Sequence, residues 1–284
     1  MDYKIDMVIP YVDNTDKVWQ KVYTDYCIRT KQKSRIIDIH CDRYEDIGLI
    51  NYQLKLINKN MPWVNTIYLL LMNREQAPKD LPSNVKIIYH AQFIPQEFLP
   101  TFNSTTIEMF LWNLPNISEY FIYANDDMLP MKPLKPSDFF TDKGQIKIEW
   151  WEEDIRQLRN VFRQQCFNSY KHLAYRLHKT TKDFEYERPA HSFTPMIKSH
   201  TKHAFNLLQD MIKKNIRAFR TEYQYNQYIY PIFEKFLYGT QDSELDFLYT
   251  QCENGIDLDH DIVCLNLIPR KYINEVIDRL KKAL

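Results

Sequence analysis

The 284-residue chain has only 4 glycines, and none sits in a P-loop or a GxGxxG pattern. A glycine-rich phosphate cradle is therefore excluded. Neither charge is in excess: 37 Lys and Arg balance 37 Asp and Glu. That leaves no electrostatic footprint for nucleic acid. The five cysteines (Cys27, Cys41, Cys166, Cys252 and Cys264) are odd in number and form no CxxC pair. Free thiols in a reducing compartment fit better than a disulfide frame or a zinc site. No apolar run reaches membrane-spanning length, and the start, Met1-Asp-Tyr-Lys-Ile-Asp, does not read as a signal peptide. A soluble, cytoplasmic protein is expected, with peripheral contact at the inner face of a membrane left open.

What the chain does have is a sharp boundary. Residues 120–124 are an apolar strand, and it runs straight into Asn125, Asp126 and Asp127. Adjacent carboxylates at a strand end repel one another unless a hard cation or a proton lies between them. The same three residues are also ordinary turn chemistry.

The rest of the first half reads as alternating strands and helices. Residues 5–12 are a strand closed by Asp13-Asn-Thr-Asp16, with Thr15 or Asp16 capping the next helix. A helix over 44–60 ends before Pro62, and strands follow at 66–72 and 85–90. A helix over 103–114 starts at an Asn103 or Ser104 cap. This order predicts an α/β sheet with ligands at the carboxyl ends of its strands. Asp13, Asp16, Asp126 and Asp127 all fall at such ends. Beyond Pro136 the pattern predicts helices over 149–180, 199–216 and 223–238, a strand over 262–266 and a last helix over 270–282.

Four segments in fixed order resemble the Stealth family of sugar-1-phosphate transferases, which make capsular polysaccharide and include the lysosomal-enzyme N-acetylglucosamine-1-phosphotransferase. They are Ile5 to Asp16 with Trp19; Arg43 to Asp46, Pro62-Trp-Val64, Leu99 to Ser104 with Ile107-Glu108, and Phe121 to Asp127; Pro189-Ala-His191 with Phe219-Arg220; and Val263 to Asn266. Three positions depart from the family pattern: Asn14 stands for a usual Gly, Gln224 for Asp, and Leu267 follows Asn266 where Asp is usual.

The resemblance implies a nucleotide-sugar-binding sheet of the GT-A or Rossmann-like kind, flanked by helices. Residues 1–140 would bind the nucleotide sugar. Residues 141–284, mainly helical, would complete the site within one catalytic unit. The implied reaction moves a sugar-1-phosphate from a UDP-sugar to a hydroxyl of an oligosaccharide or polysaccharide acceptor and releases UMP. Mg²⁺ or Mn²⁺ would be the cofactor, held by Asp126, Asp127 and Asn266, with Asp127 alternatively a base. His191 would be a general base or steady the phosphate, and Arg220 would grip phosphate oxygens. Asp13 and Asp16 would contact uridine or ribose, Asn103 and Ser104 the donor or merely the helix start, and Arg43 a phosphate or Asp46. Two rival readings remain at this stage: a metal-dependent GT-A glycosyltransferase releasing UDP, and a glycan-binding protein without catalysis.

Overall fold

The computed structural model describes residues 3–35, 44–180 and 184–284. Arg43 and Cys41 lie outside them. In chain order the elements are β1 (Ile5–Pro10), α1 (Lys17–Arg29), α2 (Leu49–Asn60), β2 (Ile67–Leu71), β3 (Val85–Tyr89), α3 (Ser104–Glu108), β4 (Tyr120–Tyr123), β5 (Met128–Pro130) and α4 (Pro136–Phe139). They continue with β6 (Trp150–Asp154), α5 (Val161–Arg176), β7 (Glu185–Pro189), β8 (Thr194–Ile197), α6 (Lys198–Asn215), α7 (Ile229–Leu237), β9 (Phe247–Thr250), β10 (Ile262–Leu265) and α8 (Arg270–Ala283).

The central sheet has the order β3-β2-β1-β4-β8. The first four strands are parallel, and β8 runs antiparallel at the edge. β1, β2 and most of β4 are buried on both faces, which is why they read as unbroken apolar runs rather than alternating ones. Successive residues serve opposite faces. Val8, Leu70, Phe121 and Tyr123 join a core with Phe205, Leu208 and Phe233 of α6 and α7. Met7, Ile9, Leu69 and Ile122 join a core with Ile50, Leu54 and Ile57 of α2. The α/β architecture is therefore the expected one: a mixed, largely parallel sheet flanked by helices.

Two smaller sheets frame one end. β5, β10 and β9 form one, and β6 pairs antiparallel with β7 in the other. Strands from late in the chain thus complete pairings begun early: β8 against β4, and β10 against β5.

Some boundaries differ from the sequence reading. The expected helix over 149–180 begins with a strand, β6, and only Val161–Arg176 is helical. Trp150-Trp-Glu-Glu-Asp154 has a ladder partner in β7, and Arg188 ties the two strands by donating to Glu153 from Nε at 2.9 Å and Nη2 at 2.5 Å. The pairing that overrides helical spacing here lies more than thirty residues away. The helix over 44–60 starts at Leu49 after Gly48, whose φ of 84° is open to glycine and strained for most other residues. Helix 103–114 is one short turn, α3, followed by a 3₁₀ turn at Leu111–Asn113. α7 starts at Ile229, later than the expected 223.

Cys27, Cys166, Cys252 and Cys264 are buried free thiols. No helix among the described residues is long and apolar enough to cross a membrane.

Candidate active site

A cleft of about 950 Å³ opens at the carboxyl ends of β1, β2 and β4 and receives residues from nearly every part of the chain. At its floor β4 ends and the chain turns through Asn125, Asp126 and Asp127 into β5, with Met128 N–H donating to the Asn125 carbonyl at 3.3 Å. The turn is clamped from two sides. Gln53, fully buried on α2, donates to the carbonyls of Asn125 and Met128, both at 2.6 Å. Leu265 of β10 donates its N–H to the Asp127 carbonyl at 2.9 Å. Turn chemistry and a rigid acidic edge are therefore the same object.

Both carboxylates face the cleft. Burial, then the neighbouring charges of Asp127 and Asp46, push the Asp126 carboxyl well above the usual carboxylate range. Asp127 Oδ2 accepts from Asn266 Nδ2 at 3.1 Å, while its Oδ1 is buried with no hydrogen-bond partner among the described residues. Asn266 is itself oriented by Tyr249, whose hydroxyl donates to Oδ1 at 3.0 Å. Asp46 accepts from the Tyr11 hydroxyl at 2.8 Å, and burial raises its carboxyl too. Among the described residues no three His, Cys, Asp or Glu side chains gather as a metal-holding group.

His191 stands just past the end of β7. Its Nε2 lies 3.3 Å from Asn125 Nδ2, and its Nδ1 lies 3.0 Å from the Tyr228 hydroxyl. That hydroxyl donates to the Ala190 carbonyl at 3.2 Å. With its one proton spent there, Tyr228 accepts from His191, so Nδ1 carries the imidazole proton and the Nε2 lone pair, on the cleft side, accepts from Asn125 Nδ2. Burial lowers the His191 pKa, and the Arg188 and Arg220 charges lower it further against the pull of Asp127. The ring is neutral at pH 7. Phe162 packs edge-on against it at 5.4 Å between centroids.

Arg220 donates from Nη2 to Ser104 Oγ, and Ser104 bonds the carboxylate of Glu108. Glu108, 3% exposed, also accepts from the Gln227 N–H at 2.8 Å and the Tyr123 hydroxyl at 3.2 Å. Burial raises its carboxyl, and Arg220 is the largest opposing influence. Glu108 stands in the family-like segment with no role attached to it, and Gln53 carries no local signal at all: both act through partners distant in sequence.

Asn103 borders the cleft, but its amide is engaged inside the protein. Oδ1 caps Thr105 N–H at 3.2 Å, and Nδ2 donates to Gln224 Oε1 at 3.0 Å. Gln224, the departure from the family pattern, also accepts from Thr221 N–H at 2.8 Å. It fastens the Arg220 loop to the start of α3. Leu267, the other departure, is half exposed at the cleft edge, with φ 51°. Asp13 and Asp16 do not line the cleft. Asp13 Oδ1 holds Thr15 N–H at 2.8 Å, and Asp16 caps α1 through Val18 and Trp19 N–H and accepts from Asn73 at 2.7 Å. The sequence thus brought Asp126, Asp127, His191, Arg220, Ser104 and Asn266 to one cleft, and left Asp13 and Asp16 as local braces.

Residues 43–148 match the model of Stealth protein CR2, conserved region 2. Capsular polysaccharide phosphotransferase cps1A of Actinobacillus pleuropneumoniae is 38% identical over 55% of this chain and 43% of its own length. Capsular polysaccharide phosphotransferase of Neisseria meningitidis serogroup B is 32% identical over 74% of this chain and 58% of its own. The chain spans about half the length of these relatives. Among solved structures, the galactosyltransferase LgtC, crystallised with donor and acceptor sugar analogues, aligns over 98% of this chain and 94% of its own, at 10% identity and a TM-score of 0.46. The chain thus carries a match to Stealth conserved region 2 over residues 43–148 and is similar over more than half of its length to capsular polysaccharide phosphotransferases.

Proposed function

We propose that the chain transfers a sugar-1-phosphate from a nucleotide sugar, a UDP-hexose or UDP-N-acetylhexosamine, to a hydroxyl of a glycan acceptor, releasing UMP. The observation that carries this reading is the neutral His191, whose Nε2 lone pair shares one cleft with two carboxylates and an arginine. The acceptor oxygen bonds to the phosphorus that carries the sugar, and the phosphorus–oxygen bond to UMP breaks. His191 Nε2 takes the hydroxyl proton as that bond forms. The Nδ1–H remains on Tyr228, which steadies the imidazolium. Arg220, held by Ser104 and Glu108, grips the equatorial oxygens of the transferred phosphate.

Asp126 and Asp127 fit a divalent cation, Mg²⁺ or Mn²⁺. A cation would satisfy Asp127 Oδ1, and it would offset the burial and the neighbouring carboxylate charges that raise Asp126. The remaining positions would fall to diphosphate oxygens and water, which Mg²⁺ accepts readily. Bound there, the cation neutralises charge on the diphosphate. Asn266 orients Asp127 in this scheme. Residues 1–140 and 141–284 act as one catalytic unit, since β8 and β10 complete sheets started by the first half. The acceptor is a growing capsular or other surface polysaccharide, met on the cytoplasmic side at the inner face of the membrane.

The test is the nucleotide product. With Mn²⁺ or Mg²⁺, a panel of UDP-sugars and oligosaccharide acceptors, UMP formed only when acceptor is present supports attack at phosphorus. UDP as the product would mean attack at the anomeric carbon and would sink the proposal.

A further inference from the structure

The lobe of the cleft farthest along the sheet holds polar atoms that the chemistry above leaves unused. Gln76 Nε2, Thr101 Oγ1 and both ring nitrogens of His90 are buried without a hydrogen-bond partner among the described residues. All three residues line the cleft. Their exposures are 3%, 1% and 6%. Buried polar groups are rarely left unpaired because the lost hydrogen bonds to water are not replaced, so a concentration of them at one end of a cleft asks for a ligand.

Their neighbours define the shape of the lobe. β2 and β3 run side by side with Leu71 opposite Tyr89, so Met72 and His90 follow at the carboxyl rim of adjacent strands. Gln76 sits over this rim, its Oε1 accepting from Met72 N–H at 3.2 Å. The bond fixes the amide: the oxygen is used and the NH₂ is left to donate. Thr101 precedes Phe102, whose ring stands edge-on to Trp19 at 5.7 Å between centroids. Trp19 lines the same cleft from α1. Burial pushes the His90 pKa down to about 4, so the ring is neutral and offers one N–H and one lone pair.

We propose that this lobe is the base subsite of the donor, and that Gln76, His90 and Thr101 read the edge of a 2-keto-pyrimidine. Uracil and cytosine both present a ring carbonyl that the fixed Gln76 amide can bond. Each also needs a further donor and an acceptor, which the hydroxyl and the imidazole supply between them. Adenine has no carbonyl for Gln76. The assignment rests on the nucleotide-sugar reading, and it moves base recognition away from Asp13 and Asp16, which do not line the cleft.

Calorimetric titration of the full chain with UDP, CDP, ADP and inorganic diphosphate tests it. UDP or CDP should bind about tenfold or more tighter than ADP, and the preferred one names the pyrimidine. Thr101→Val and His90→Phe remove polar atoms at nearly constant shape. Gln76→Glu keeps an acceptor for Met72 N–H and removes the donor. Each should weaken the preferred nucleotide about tenfold, or about 1.4 kcal/mol, and leave inorganic diphosphate binding within twofold. Thermal midpoints of the free variants check that the fold persists. ADP binding as tightly as both pyrimidine nucleotides, or all three variants binding UDP and CDP like wild type, would overturn the subsite and leave the polar atoms to buried water. The two readings fail separately. Variants weakened for UDP in a protein that makes no UMP keep the subsite and lose the reaction. UMP formation by a protein whose variants bind normally does the reverse.

Discussion

His191 Nδ1 lies 3.0 Å from the Tyr228 hydroxyl, and that hydroxyl has already committed its proton to the Ala190 carbonyl. The pair therefore fixes a tautomer as well as a position. Tyr228→Phe should lower kcat about tenfold with little change in the KM for donor, because the ring can then turn or protonate at the wrong nitrogen. His191→Ala should cost about 10²–10⁴ in kcat. Steady-state kinetics of UMP release measures both. A Tyr228→Phe enzyme as fast as wild type would remove Tyr228 from the mechanism.

The same environment sets a pH limb. Because the His191 pKa is lowered, the base stays unprotonated below the ordinary imidazole value of about 6.5. The acidic limb of kcat/KM should fall below that value. A limb at or above it would mean that another group is titrating.

Asp126 illustrates a cost of function. Its carboxyl is raised, so its ionised form is disfavoured in the folded protein and costs stability above the unfolded-state pKa of about 4. Asp126→Asn should raise the thermal midpoint at pH 7 in chelator. Mn²⁺ should then raise the midpoint of wild type but not of the variant, and transfer activity should be lost. A wild-type midpoint that ignores Mn²⁺ at millimolar concentration would count against the cation site.

Glu108→Gln keeps the shape of a buried side chain and removes the charge that faces Arg220. Because burial raises the Glu108 carboxyl against the pull of Arg220, stability at pH 7 should hold or rise in the variant, while kcat should drop about one to two orders of magnitude as Arg220 loosens. Denaturant melts and turnover on the same sample separate the two effects. Full activity in Glu108→Gln would show that Ser104 alone holds the arginine.

His90 gives a stability signature. Its folded pKa of about 4 lies below the unfolded value of about 6.5, so the unfolded chain binds the extra proton first. Stability should be full above pH 6.5 and fall as pH drops toward 4, by about 2 kcal/mol at pH 5. His90→Phe should melt with a visibly shallower dependence between pH 7 and pH 5.

The strands of the central sheet were legible because burial on both faces writes a continuous apolar run, and Ile5–Pro10, Ile67–Leu71 and Tyr120–Tyr123 each carry one. Asp126 and Asp127 were legible because the run stops dead on them. His191 and Arg220 were visible only through resemblance; nothing local sets Pro189-Ala-His191 apart. β6 was misread because Trp150–Asp154 is only half-buried and owes its form to β7. Gln53, Glu108 and Tyr228 act across 72, 119 and 37 residues of sequence, to Asn125, Gln227 and His191. No window of neighbouring residues contains such relationships. Asp13 and Asp16 lie at the expected strand end, where Asp13 Oδ1 holds Thr15 N–H and Asp16 caps α1.

The bond from Leu265 N–H to the Asp127 carbonyl has a consequence for how the molecule is made. The acidic turn is translated early, but one of its two clamps arrives only with β10, after more than a hundred further residues. Until those residues are added the turn lacks that clamp and His191 lacks its contact with Tyr228. The acidic turn is thus fully clamped only after a pairing between distant parts of the chain has closed, the kind of non-local contact whose loop-closure entropy must be met first.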